Sequence, residues 1–305
     1  MERELWKMLS GLIDAVDAEF VDSPRFAHRT AQIVRVHFWA ALKERSISWA
    51  CEHSHWPSGS KECRAGSLPD QSTLSRRSRG RSGRFFEKFL DALARKISAN
   101  PDPRLLDLKR LDGKPLIVAA HSKDKNATWG RAAGGLAKGY KLHALWGTSV
   151  LPEAFVVAPM NVDERKIARR LLQHLVGSGY VVADGNYDAN DLFALANLRG
   201  YQLLAPRDTP GVGLGGRRQR PGRLRSIELL ERNQFRLGKF GPAIFRRRRS
   251  IEGRFGNLTC GVGALALSLP PFVRRIWRVR TWVKLKLILF GVRSLWNAQQ
   301  LPNAA

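Results

Sequence analysis

Three carboxylates stand out in a chain that is short of them. Asp184 ends the apolar run YVVAD and is followed at once by Gly185 and Asn186, so a strand would carry it to the edge of a sheet and a turn would hold it there. Asp112 lies in the run LDGKPLIVAA, and Glu252 stands behind Arg246, Arg247, Arg248 and Arg249, with no Asp or Glu after it. Carboxylates are hard oxygen ligands. Gathered into one site they can hold two divalent cations roughly 3.5 to 4 Å apart, which is the arrangement that activates an oxygen nucleophile on one side of a phosphodiester and steadies the leaving oxygen on the other. Each residue also has an ordinary use, a turn at Asp184 and a helix salt bridge at Glu252. Only a fold that joins positions 112, 184 and 252 makes a site of them.

The charge balance favours a phosphate-bearing partner. Lys and Arg number 52 against 26 Asp and Glu in 305 residues, a formal net charge of +26. Such an excess is costly in one compact body unless a polyanion shares the field, and nucleic acid is the commonest one. The basic residues crowd between Arg217 and Arg254, where the only acids are Glu228, Glu231 and Glu252. With 44% hydrophobic residues the chain can bury a sizeable core, in one large domain and a smaller one. Cys51, Cys63 and Cys260 are too scattered for a disulfide framework, and the N-terminal MERELWKMLS has no apolar signal core, so the reading is a cytoplasmic, nucleoid-associated protein. The C-terminal FVRRIWRVRTWVKLKLILFGVRSLW is broken by Arg and Lys too often to span a bilayer. It reads as a basic amphipathic helix over 266–305, packed on the body with its charges outward; a membrane-surface helix would look similar.

Hydrophobic spacing then supplies the elements. Leu5, Leu9, Leu12, Val16 and Phe20 mark one helix and Ile33, Val36, Trp39 and Leu42 a second. Pro69 and Asp70 open a short polar helix whose Gln71, Thr73, Arg76 and Arg77 suit a helix-turn-helix reader of base edges and phosphates; a plain solvated helix would have the same composition. Another amphipathic helix, GRFFEKFLDALARKISAN, ends at PDP. From there the chain changes character: strands at LDGKPLIVAA, GYKLHALWG and VLPEAFVVAPM, the last two as a tight hairpin; a helix from NVDE capped by Asn161; the strand YVVAD; a helix closed by Gly200; the strand YQLLAPR. A Gly, Pro and Arg-rich insertion at about 208–223 precedes two helices, about Leu224 to Leu237 and about Pro242 through RRRRSIEGRFGNL.

Three strands in a meander, then helix, strand, helix, strand and a closing helix describe an α/β fold, a ribonuclease H-like mixed sheet flanked by helices, occupying 101–265 behind an all-helical DNA-binding region at 1–100. In that fold the first and fourth strands are neighbours and the last helix crosses behind them, which would bring Asp112, Asp184 and Glu252 together. The pieces LDGKPL, GYKLH, PMNVDE, VVADGNYD and RRRRSIEGRFGNL, within about Leu105 to Leu295, together resemble the DDE transposases of bacterial insertion sequences. The resemblance implies cutting of DNA at element ends and joining of the 3′ hydroxyl to target DNA. It further implies Asp112, Asp184 and Glu252 as catalytic and metal-holding residues, two Mg²⁺ ions with Mn²⁺ able to replace them, and a homo-oligomer assembled on double-stranded DNA. One branch of that family carries Tyr, two residues, Arg, three residues, Glu, six residues, Lys; here Arg248 and Glu252 match, but Phe245 and Thr259 stand at the outer positions. A nuclease of the same fold that does not join strands, and a non-catalytic DNA binder derived from such an enzyme, remain as alternatives.

Other candidates have a functional and an ordinary use side by side. Arg248 and Arg249 read as phosphate contacts or exposed arginines. Lys141 and His143 alternate on a strand and read as DNA-backbone contacts or as edge-strand solubility. Asp188 and Asp191 follow Asp184 closely enough to touch a metal, or to cap a helix. Asp124 is a substitute for Asp112 should the first strand be misplaced, and Asp163 and Glu164 suit a helix's first turn. Cys51, His53, His55 and Cys63 are zinc-ligand types at a spacing that fits none of the usual patterns, so a loop is the simpler reading. GVGLGG at 211–216 has dinucleotide-loop spacing but runs into RRQRPGR rather than a helix, and reads as a flexible basic loop.

Overall fold

Helical periodicity in the first hundred residues does what it predicts. In the computed structural model of the chain, residues 2–58, 60, 62, 68–98, 107–132, 134–209, 214, 218–232, 240–265 and 268–300 are described. Helix α1 (Glu2–Glu19) buries Leu5, Leu9, Ile13 and Val16, Ile13 taking the place expected of Leu12. Helix α2 (Thr30–Lys43) is buried almost all round, and the short α3 (Ile47–Ala50) follows. Asp70 caps α4 (Gln71–Arg77), accepting a hydrogen bond from the Thr73 amide at 2.6 Å, and α5 (Gly80–Ile97) begins three residues after α4 ends.

By its contacts the chain divides into two units, Met1–Asn100 with Leu258–Ala266 and Pro270–Ala305, and Pro101–Asn257 with Leu267–Leu269. The helix Ile276–Gln300 therefore groups with α1, α2 and α5. Its environment differs from the expected outward-facing basic helix. Val279, Val283, Leu287, Leu289 and Val292 lie on several sides of it and all are buried, so its lysines are drawn inward as well. Lys286 is 0% exposed and reaches Glu44 at 3.0 Å, and Lys284 pairs with Glu87 and with Asp91 at 2.9 Å. A segment with no acids of its own finds counter-charges on the N-terminal helices. Among the described residues no helix is long and apolar enough to cross a membrane.

The second unit is built on one sheet. Strands β1 (Leu108–Ile117), β2 (Thr128–Ala132), β3 (Gly135–Trp146), β4 (Ala154–Pro159), β5 (Gly179–Val182) and β6 (Tyr201–Leu204) form it, in the order β2-β3-β1-β5-β6 with β4 also on β3. β3 runs antiparallel to β1, β2 and β4, while β1, β5 and β6 are parallel, the mixed arrangement the element order predicts. Alternation sorts the side chains to two faces. Leu111, Val181 and Leu203 pack with Ile167, Leu171 and Phe193 under α6 (Glu164–Leu172) and α7 (Asn190–Leu198). Leu108, Val182 and Leu204 pack on the other face with Leu229 and Ile244. These last come from the helical stretch α8 (Pro221–Ile227), continued as a wider turn over Glu228–Arg232, and from α9 (Phe240–Arg246); α10 (Arg249–Asn257) follows.

Several local expectations change. β2 was not foreseen, because TWGRA is a half-exposed edge with a glycine at its centre; Met160 crosses it so closely that a Cβ at Gly130 would stand 2.6 Å from the Met160 carbonyl oxygen. Asp163, not Asn161, caps α6, accepting from the Arg165 amide at 2.8 Å, while Asn161 exchanges hydrogen bonds with Thr128. β3 and β4 are joined by residues 147–153 rather than by a tight turn. The long helix expected around the four arginines is two, α9 and α10, parted at Arg247 and Arg248. Residues 233–237 of the expected preceding helix lie outside the described residues.

Candidate active site

β1 and β5 pair in parallel at Leu108 with Tyr180, Lys109 with Val181 and Arg110 with Val182, a constant offset of 72 (182 − 110). The pairing stops there, and the same offset sets Asp112 beside Asp184 (184 − 112) just where the strands part. Carboxyl ends of neighbouring parallel strands are where open α/β sheets present their ligand-binding groups. The Asp112 carboxylate accepts from the Gly113 amide at 2.7 Å. Asp184 lies two residues past the end of β5 and accepts from the Asn186 amide at 3.0 Å, so the Asp-Gly-Asn sequence makes the turn that aims it.

The helix break brings the third acid in. Arg110 Nε donates to the Arg247 carbonyl at 3.2 Å, pinning the break against β1. Arg248 then spans two carboxylates, Nη1 lying 3.4 Å from Asp112 Oδ2 and Nη2 2.8 Å from Glu252 Oε1. Glu252 itself is exposed and joins the pair through this guanidinium. Burial pushes the Asp112 carboxyl up to about 6; the Gly113 amide opposes this, the charge of Asp184 adds to it, Arg248 lowers it and Glu164 raises it. Asp184 is raised as well, first by burial and then by the Glu164 charge, against the Asn186 amide, Arg248 and Lys141.

A residue assigned above only to a helix's first turn thus belongs to the cluster. Glu164 opens α6 and binds Lys141 Nζ at 2.5 Å. Its signal in the sequence was slight, because an acid after Asp163 at a helix start is what the dipole favours anyway.

The donor set suits a hard divalent cation: all its ligand atoms are carboxylate oxygens, and burial first, then the charge of Asp184, disfavours the ionised form of Asp112, a strain that positive charge relieves. Among the described residues no three His, Cys, Asp or Glu side chains converge at metal-ligand spacing, the Arg248 guanidinium lying between Asp112 and Glu252.

The remaining candidates separate cleanly. His143 is 1% exposed, and burial takes its ring down to about 4, so it is neutral and cannot meet a DNA backbone; Lys141 is spent on Glu164. Arg249, Gln71 and Arg76 are exposed and Thr73 partly so. Arg77 is not a reader. It is buried, donates to the His28 carbonyl and the Thr30 hydroxyl at 2.6 Å each, and lies over Phe26 at 3.4 Å. Removing a buried, hydrogen-bonded guanidinium leaves its partners unmet, so Arg77→Ala is expected to destabilise the chain by about 2–4 kcal/mol in urea unfolding, with Arg76→Ala within about 0.5 kcal/mol of wild type.

Asp188 is held by two bonds from Arg223 at 2.6 Å, and Asp191 pairs with Arg169. Asp124 is buried beneath Tyr140, whose hydroxyl donates to it at 2.7 Å, so it does not stand in for Asp112. Of the zinc types, Cys51 donates to the Ile47 carbonyl and His55 is stacked on Trp49, while Cys63 lies outside the described residues, as does most of 211–216.

A family model described as transposase DDE domain matches residues 111–275. A search of curated proteins returns no match. Among solved structures, the cryo-EM structure of a piggyBac transposase synaptic complex with hairpin DNA is similar at a TM-score of 0.47 and 10% identity, over 97% of this chain and 75% of that one. The family match spans 165 residues (275 − 111 + 1), more than half of the 305, and begins one residue before Asp112 and ends after Glu252. By that match the chain belongs to the transposase DDE domain family, whose activity is metal-dependent phosphoryl transfer on DNA.

Proposed function

We propose that this chain is the transposase of a bacterial insertion sequence, cutting DNA at the ends of its element and joining the freed 3′ hydroxyl to target DNA. The observation that carries the reading is the approach of Asp112 to Asp184 where β1 and β5 part, with Glu252 tied to the same place through Arg248. Asp112, Asp184 and Glu252 would hold Mg²⁺, with Mn²⁺ able to replace it. When bound, the metal supplies the positive charge under which an oxygen attacks phosphorus in line and the departing oxygen is steadied.

The chain's own groups do the rest. Asp184 is fixed by its turn and Asp112 by its strand, so neither carboxylate has to be ordered at the moment of reaction. Arg248 neutralises the acids while no substrate is present, and its planar fork suits a phosphate once one arrives. Arg249, exposed beside it, would hold the DNA backbone. The exposed Gln71, Thr73 and Arg76 of α4 would read or grip a duplex, and the net charge of +26 gives that contact long reach and strong salt dependence. Assembly into a homo-oligomer on paired element ends follows from an activity that must join two ends to one target.

The test mixes the purified full chain with labelled DNA taken from either side of its own reading frame, a target plasmid and Mg²⁺. Joined end-to-plasmid product is expected. Cut ends with no joined product would instead make it a nuclease of this fold, and binding with neither product a non-catalytic DNA binder.

A further inference from the structure

Asp112 and Asp184 stand where β1 and β5 part, and the charge of Glu164 bears on both. Arg248 comes from the side of α9 and α10. On the α6 side lies a second group that the triad does not use. Lys141 and His143 share that face of β3 and press on Gly113, where a Cβ would stand 3.0 Å from Lys141 Cδ and 3.2 Å from His143 Nδ1. Glu164 binds Lys141 Nζ, the two side chains being 23% and 12% exposed. The next residue, Arg165, donates from Nε to the Asn186 carbonyl at 2.8 Å, which ties the start of α6 to the turn behind Asp184.

His143 Nε2 is buried and has no hydrogen-bond partner among the described residues, and the buried Tyr187 hydroxyl faces the Glu164 carboxylate. Tyr187 closes the turn that Asp184 begins, and burial first, then the charges of Glu164, Asp112 and Asp184 and a hydrogen bond to Glu164, push its hydroxyl well above the ordinary value. Buried donors and acceptors are nearly always satisfied in folded proteins. Set on the face that Glu164 and Lys141 share, the unmet His143 nitrogen suits a water in the shell of a divalent cation, which both donates and accepts.

Resting on the cation-centre reading above, we propose that Glu164 is a fourth carboxylate of that centre and that Lys141 is its internal counter-ion, released when a divalent cation binds. Arg248 does the same for Asp112 and Glu252 from the opposite face. A basic side chain on each face thus stands in for cation charge, which lets four acids share one place without metal.

Binding of Mn²⁺ alone to the full chain, followed by the electron paramagnetic resonance of the free ion, tests this without any need for activity. Glu164→Gln is expected to weaken Mn²⁺ binding about tenfold or more. Lys141→Met, which removes a competitor and keeps the acid, is expected to tighten it severalfold. If Glu164 and Lys141 form only a structural ion pair, both variants will bind Mn²⁺ as wild type does and the proposal fails. Lys141→Met keeps this decisive even if Glu164→Gln does not fold. Asp112→Asn, measured alongside, separates the two readings: loss of Mn²⁺ there with none in either other variant overturns only the role of Glu164, whereas unchanged binding in Asp112→Asn overturns the centre itself.

Discussion

Asp112→Asn is expected to lower cleavage of element-end DNA by on the order of 10³-fold or more while leaving duplex affinity within about twofold of wild type. Asparagine keeps the volume and the oxygen that accepts from the Gly113 amide, so the strand and its turn survive. What it loses is the charge, at the position where β1 leaves its pairing with β5 and where Asp184 stands alongside. Groups that act as one unit fail together, so Asp184→Asn should fall to the same residual rate and the double variant no lower. On the proposed reading affinity is set elsewhere, by exposed arginines and the overall charge, and gel shifts across a salt series would read it. A variant that still cut at more than about a tenth of the wild-type rate would remove Asp112 from the chemistry. One that no longer bound would move the residue's role to DNA recognition.

The same substitution is expected to make the metal-free protein more stable. The Asp112 carboxyl is raised from an ordinary 3.8 to about 6, chiefly by burial. An acid whose folded value lies above its unfolded one binds more protons in the native state between those values, so stability falls as pH rises from about 4 to 6 and stays low above that. At about 1.4 kcal/mol per unit, two units amount to on the order of 2–3 kcal/mol. In EDTA at pH 7.5, Asp112→Asn should therefore unfold at higher urea than wild type, and the gap should close by about pH 4, where both side chains are neutral. Asp184 is shifted in the same direction, which deepens the acid-side recovery of the wild type. Adding Mg²⁺ should narrow the gap from the other side, because a ligand of the native state raises only the protein that binds it. Equal stability at pH 7.5, or a gap that widens on acidification, would contradict the burial of this charge.

Strong, repeated patterns in the sequence carried the sheet on which the proposed site stands. The run YVVA can be buried on both faces and ends in a turn that only a few residue types make, so β5 and the position of Asp184 were legible together. The order of strands and helices then implied which strands are neighbours, and with it the approach of Asp112. Edges and breaks were not legible. β2 is half exposed and interrupted by Gly130, which exists to let Met160 pass, a reason that lies in the partner and not in the strand. The break between α9 and α10 falls within a run of arginines, where nothing local distinguishes a helix from its interruption; it is set by the Arg247 carbonyl meeting Arg110 from β1. Glu164 looked like dipole chemistry because it satisfies that rule as well. Arg77 and Arg76 are adjacent and identical, and only the packing of Phe26 and Thr30 tells the structural one from the exposed one. The same limit applied to Lys284 and Lys286, whose partners Glu87 and Glu44 lie 197 and 242 residues away in sequence.

The most direct measurement of whether these acids share a cation replaces Mg²⁺ with Fe²⁺ and lets ascorbate and peroxide generate hydroxyl radical at the bound ion, which cuts the polypeptide next to its ligands. Mapped by mass spectrometry on the full chain, scission is expected close to residues 112, 184 and 252, suppressed by excess Mg²⁺ and lost in Asp112→Asn. Cuts confined to one of these segments, or spread over exposed loops and indifferent to Mg²⁺, would mean that the three carboxylates do not hold a common ion.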